Sequence, residues 1–145
     1  MKYLLLVSHG ELSIGLKQTL GMFAGNDMQG SLIAVGLRTD EAASTFGERF
    51  NALLKTLPAD AEFVVLADIV GGSPLTTVCN VLSEHGKLKN ALVLGGMNFS
   101  MALTILMSKD TLDNAALREK AFTEATAAIK EFQTDPEAGS EDEDI

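Results

Sequence analysis

An open, doubly wound α/β sheet of mainly parallel strands in the order 2-1-3-4, with helices on both faces, is the fold this sequence predicts. Three observations predict it. Short strand-like runs alternate with stretches of helical period, the runs are apolar at nearly every position, and no repeat or internal linker interrupts the alternation. A strand without a polar side is buried on both faces, as parallel strands under helices are. Right-handed crossovers then favour the order 2-1-3-4.

Strands are expected at about residues 2–8 (KYLLLVS), 31–36 (SLIAVG), 62–68 (EFVVLAD) and 90–95 (NALVLG). After the first, Leu12, Leu16, Leu20 and Phe23 recur at helical spacing, against the low helix propensity of Gly15 and Gly21. After the second, Phe46, Phe50, Leu53, Leu54 and Leu57 do the same, with Asp40 as the candidate N-cap. Ser73-Pro74 predicts the start of a third helix, Ser at the N-cap and Pro at the first helical position, closing near Gly86. A fourth helix follows Asn98 or Phe99. Leu117, Ala121, Ala125, Ala128, Ile129 and Phe132 mark a last helix with a small apolar face.

Composition narrows the function classes. With 145 residues, 46% hydrophobic and 21% charged, the chain is long enough for one domain with an adequate core, expected over residues 1–132. The net charge is −9, of which −6 lies between Asp135 and Ile145, so residues 133–145 read as a solvated acidic tail and the body is only mildly acidic. A nucleic-acid binder needs a clustered basic face, and none is legible here. No apolar run approaches the roughly 20 residues of a membrane span, and no signal-peptide pattern opens the chain, so a cytoplasmic protein without membrane insertion is expected. One cysteine, Cys79, and two histidines supply no spaced metal-ligand set, and neither a metal nor a cofactor is expected.

The predicted order gives the chemistry a place. Ligands of such sheets bind at the carboxyl ends of the strands where the winding reverses, here between strands 1 and 3. Strand 1 ends in Ser8-His9-Gly10, and strand 3 ends in Asp68-Ile69-Val70-Gly71-Gly72-Ser73-Pro74. Gly71 and Gly72 before a helix start permit close backbone approach, and the free N–H groups there, with the Ser73 hydroxyl, form an anion site. An imidazole can act as a nucleophile toward phosphorus, and a carboxylate on its other nitrogen fixes the tautomer and balances the charge that develops. Taken singly, His9 reads as a turn residue, Asp68 as a cap and Gly-Gly-Ser-Pro as a tight turn. Their convergence on one crevice favours the catalytic reading, with His9 and Asp68 as the reacting pair. His85, near the end of the third helix, reads as structural. Cys79, on the face of Leu75 and Leu82, reads as core, and Met97, Met101 and Met107 as core or interface filler.

Three motifs, VSHG after the first strand, DIVGGSP after the third and GGMNFSMAL after the fourth, resemble the mannose-family IIA component of the bacterial phosphotransferase system (PTS). The resemblance spans about residues 1–132, with the motifs in family order. It implies that His9 is phosphorylated, that Asp68 orients it, and that Gly71, Gly72 and Ser73 receive the phosphoryl oxygens, with Ser8, Gly10 and Asn98 near the site. It also implies phospho-HPr as donor, a separate IIB component as acceptor working with membrane subunits IIC and IID, a homodimer, and no cofactor. Ser100 stands where the family commonly has proline. Alternatives are a non-catalytic regulatory or phospholigand-binding module, and the IIA-like phosphocarrier of dihydroxyacetone kinase systems, which carries Met-Gly-Ser-Ala where this chain has Gly-Gly-Ser-Pro. A phospho-receiver domain would need an acidic pair after strand 1, where Ser8-His9-Gly10 stands instead.

Overall fold

The structure, a computed structural model, describes residues 1–134. Four strands, β1 (Lys2–His9), β2 (Leu32–Leu37), β3 (Glu62–Ala67) and β4 (Leu92–Leu94), form one sheet. All pairings are parallel and the order is β2-β1-β3-β4, as predicted. The helices are α1 (Leu12–Leu20), α2 (Asn26–Gln29), α3 (Ala43–Leu54), α4 (Ser73–Glu84), α5 (Phe99–Ser108) and α6 (Asn114–Ala127). None is long and apolar enough to cross a membrane.

Strand alternation divides the interior into two cores. Leu4 and Leu6 of β1 join Val64, Leu66, Leu92 and Leu94 under α1, α5 and α6, through residues such as Leu20, Ile105 and Leu117. Tyr3, Leu5 and Val7 face the other way, with Phe63, Val65 and Ala67, against Phe46, Phe50, Val78 and Leu82 of α3 and α4. The central strand is fully buried from Leu4 to Val7. Each such side chain contributes about 1.5–3 kcal/mol, so β1 is a stiff post carrying His9 at its upper end.

Several local expectations are corrected. Helix α3 starts after Ala42, not Asp40, and has no side-chain cap. The preceding turn is instead organised by Glu41, which accepts from the Arg38 N–H at 3.1 Å and pairs with the Arg49 guanidinium at 2.6 Å. That guanidinium bond is the main reason the Glu41 carboxyl is pulled down to about 2. At α4 the N-cap is Gly72, in extended conformation, and Ser73 is already the first helical residue. Helix α2 carries no apolar period, and the pattern of the sequence does not predict it. The last helix stops at Ala127 rather than near Phe132, and Ile129 and Phe132 lie 76% and 72% exposed. Past Ala127 the apolar spacing continues in the sequence, but its side chains are not buried in either core. Residues 135–145, most of the expected acidic tail, lie outside the described residues.

Candidate active site

Alternation along β1 sends its last two side chains to opposite faces. His9 continues the face of Tyr3, Leu5 and Val7 and meets the start of α4, whereas Ser8 continues the other face and meets α1. Asp68 follows directly on β3, the neighbour of β1. One of its carboxylate oxygens, Oδ2, accepts both the His9 backbone N–H at 2.8 Å and His9 Nδ1 at 2.9 Å. The other, Oδ1, accepts the Ile69 N–H at 2.8 Å. Burial pushes the Asp68 carboxyl up, but the His9 N–H, the imidazole and the Ile69 N–H together hold it below the ordinary carboxylate range. It is therefore charged at neutral pH. A carboxylate on Nδ1 keeps the proton there in the neutral ring and leaves the lone pair on Nε2.

Nε2 lies against the N-terminus of α4. A Cβ built on Gly72 would fall 2.7 Å from Cε1 of His9 and 3.3 Å from Nε2, so only glycine lets the ring rest here. The first intrahelical bond of α4 runs from the Thr76 N–H to Gly72 O, and no side chain caps the helix. The Ser73 and Leu75 N–H groups, with the Ser73 hydroxyl, are thus the donors at this helix end, where the macrodipole also favours negative charge. The His9 side chain is 49% exposed, against 14% for Asp68, so the ring is open to a macromolecular donor while its partner is sheltered. Gly71, with φ of 91°, makes the turn, and Ile69 and Val70 stand out at the rim.

The remaining predicted residues take supporting positions. Ser8 is fully buried and bonded within the fold rather than to His9. Gly10 has φ of 58°, and its N–H donates to Leu37 O at 2.7 Å. Asn98 caps α5 through Oδ1, which accepts the Met101 N–H, and its amide nitrogen donates to Ala125 O of α6. Both ends of that side chain hold helices. His85 is the C-cap of α4, and its Nε2 lies 2.6 Å from Asn51 Oδ1 of α3. Cys79 is half-buried on the α3/α4 side, and burial pushes its thiol up. Met101 is buried, Met97 half-buried and Met107 exposed. Among the described residues no three His, Cys, Asp or Glu side chains gather as a metal site.

Two contributors escape sequence reasoning. The apolar period of α1 points to Leu12 as core, yet Leu12 is 58% exposed and Ser13 is fully buried. At the end of β2, a Cβ on Gly36 would fall 1.9 Å from Gly10 O. The His9 turn packs on that glycine. A glycine between apolar strand residues was the available signal.

A half-exposed histidine at a parallel-sheet switch point, oriented by a carboxylate and aimed at an open helix N-terminus, defines an α/β protein with a candidate anion-binding site at the strand ends. The family model EIIA-man, described as PTS system fructose IIA component, matches residues 3–122, and the chain belongs to this family of sugar-phosphotransferase EIIA components. It is 29% identical over 142 residues to the PTS system fructose-specific EIIA component of Bacillus subtilis (strain 168), covering 93% of this chain and 94% of that one. The mannose/sorbose-specific IIA subunit of the phosphotransferase system from Enterococcus faecalis shares the fold, with a TM-score of 0.75, 21% identity, and 93% and 98% of the two chains covered. So does phosphotransferase system component EIIA from Streptococcus agalactiae, with a TM-score of 0.74, 22% identity, and 91% and 98% covered.

Proposed function

We propose that this EIIA component accepts a phosphoryl group from phospho-HPr on Nε2 of His9 and passes it to a histidine of a IIB protein. One observation carries the reading. The same imidazole that gives Nδ1 to Asp68 at 2.9 Å turns its opposite edge to the start of α4. The Nε2 lone pair attacks phosphorus in line, the N–P bond of the donor breaks as the new one forms, and the Nδ1 proton stays between ring and carboxylate. Positive charge that grows on the ring is balanced by Asp68, and the phosphoryl oxygens meet Ser73 and the α4 N–H groups. Transfer between two histidines is nearly balanced in free energy, so positioning and charge compensation suffice. A homodimer, formed with the C-terminal part of the chain, would cover the exposed Ile129 and Phe132.

The test is incubation with phosphoenolpyruvate, enzyme I and HPr, followed by intact-mass and peptide analysis. The expected result is one acid-labile phosphoryl group on the peptide bearing His9. Binding of phosphate without covalent mass gain would favour the phospholigand-binding module instead.

A further inference from the structure

We propose that Ser13 is a positioning residue for phosphoryl transfer, acting through Ser8 on the backbone that carries His9; the inference rests on the phosphocarrier reading above. Both hydroxyls are out of contact with solvent. The Ser13 N–H donates to Ser8 Oγ at 2.8 Å, the Ser8 hydroxyl donates to Ser13 Oγ at 2.9 Å, and the Ser13 hydroxyl donates to Val35 O at 2.9 Å. Each hydroxyl has one proton, so the direction of the chain is fixed by its end at a carbonyl, with Gly10 O a longer alternative acceptor for Ser8 at 3.3 Å. The N-cap residue of α1, Glu11, makes no side-chain cap. Ser8 does that work from the end of β1, and the first turn of α1, β1 and β2 are thereby tied together around one residue.

His9 sits between two clamps. On the β3 side, Asp68 holds its N–H and its ring. On the β2 side, the Ser8–Ser13–Val35 chain and the Gly10 N–H to Leu37 O bond hold the residues before and after it. Asp68 fixes the tautomer and the ring plane relative to β3. The second clamp adds the hold on the residues flanking His9, and with them on the height of the turn that sets the distance from Nε2 to the incoming phosphorus. Near-attack geometry is sensitive to displacements of about 1 Å.

Ser13→Ala removes the link to Val35 O and the acceptor for the Ser8 hydroxyl while keeping the helical N–H. The saturated rate of labelling by phospho-HPr should fall about tenfold, with the half-saturating HPr concentration unchanged. Amide exchange at His9 and Gly10 should accelerate by a similar factor, while the β1 core amides of Leu5 and Leu6 keep pace with the global unfolding measured for that variant. Ser13→Cys, with a weaker donor at the same position, should fall between and serves if the alanine variant does not fold. A wild-type rate of labelling, or acceleration spread evenly over all amides, overturns the inference and leaves the carrier reading intact. Wild-type protein that takes no phosphoryl group overturns both.

Discussion

Helix α4 has a histidine at each end, and the two are not alike. At its N-terminus His9 rests on the N-cap Gly72, with a carboxylate on Nδ1 and the other nitrogen free of any protein partner among the described residues. At its C-terminus His85 is itself the C-cap, and its Nε2 is taken by the Asn51 side-chain oxygen. The helix offers N–H groups and partial positive charge to the first, carbonyl oxygens and partial negative charge to the second. A dianionic phosphoryl group is stabilised at one end and repelled at the other. Field and partner therefore favour His9 as the proposed carrier, without appeal to which histidine is the more exposed.

The largest effect expected is the loss of labelling. His9→Ala should take up no phosphoryl group from phospho-HPr, while His85→Ala should be labelled at the wild-type rate; both should keep wild-type secondary structure by circular dichroism. Label retained in the first variant, or lost in the second, would reverse the assignment of the two helix ends.

Next in size is the orienting carboxylate. Asp68→Asn keeps an acceptor of similar shape but removes the charge that balances the ring, and labelling should slow by roughly a hundredfold. The same group marks the pH response. Because its pKa in the fold is held below the ordinary value, the pairing stabilises the protein above the ordinary carboxylate range, near pH 4, and this is lost as pH falls through the lower folded value. The gap in thermal midpoint between wild type and Asp68→Asn should thus close as pH falls below about 4. A gap that persists unchanged well below about pH 4 would mean that Asp68 is not held as a carboxylate in the fold.

Why the N-terminal end was legible in sequence and the details around it were not follows from the range of each signal. The strand runs are apolar throughout, which leaves helices on both faces as the only way to bury them, and the crossover rule then orders them and brings His9 beside Asp68. Those are strong constraints from a few residues. Ser13 is different, because its burial depends on how α1 lands on β2, and the leucine period describes the middle of the helix better than its first turn. Gly72 as N-cap could not be told from Ser73, since both suit the position and only the imidazole packed there decides it. The end of α6 lies short of the expected one because Ile129 and Phe132 keep helical spacing, and a sequence period carries no record of which apolar residues the core receives.

A smaller effect comes from filling the contact itself. Gly72→Ala leaves the extended N-cap backbone within reach of any residue, with φ −87° and ψ 161°, so the fold should be unharmed. The new methyl would crowd Cε1 at 2.7 Å and push the ring outward, lengthening the Asp68 bond and tilting Nε2 off the helix end. Labelling should slow about tenfold, and the His9 ring 15N shifts should move toward a tautomer mixture. Normal labelling with unmoved shifts would show that the ring has slack the geometry does not suggest.

The smallest effect belongs to the other end of the helix. His85→Ala removes the 2.6 Å contact to Asn51 Oδ1, a link between α3 and α4 on an exposed surface, and leaves the Leu82 and Val81 carbonyls that accept the His85 N–H untouched, since that donor is backbone. A solvent-accessible side-chain hydrogen bond of this kind contributes about 0.5–1 kcal/mol, so the urea midpoint should drop slightly, with an unchanged m-value. Asn51→Ala should lose the same amount, and the double variant should lose no more than either single one, because both remove one bond. Through all three the labelling rate should stay at the wild-type value, for the N-terminal turn of α4 is held by Gly72, His9 and the strand ends rather than by its far cap. Additive losses would show that His85 and Asn51 act independently, and a fall in labelling would mean that the two ends of α4 are coupled, which the packing of Val78 and Leu82 between them in the α3/α4 core gives no reason to expect.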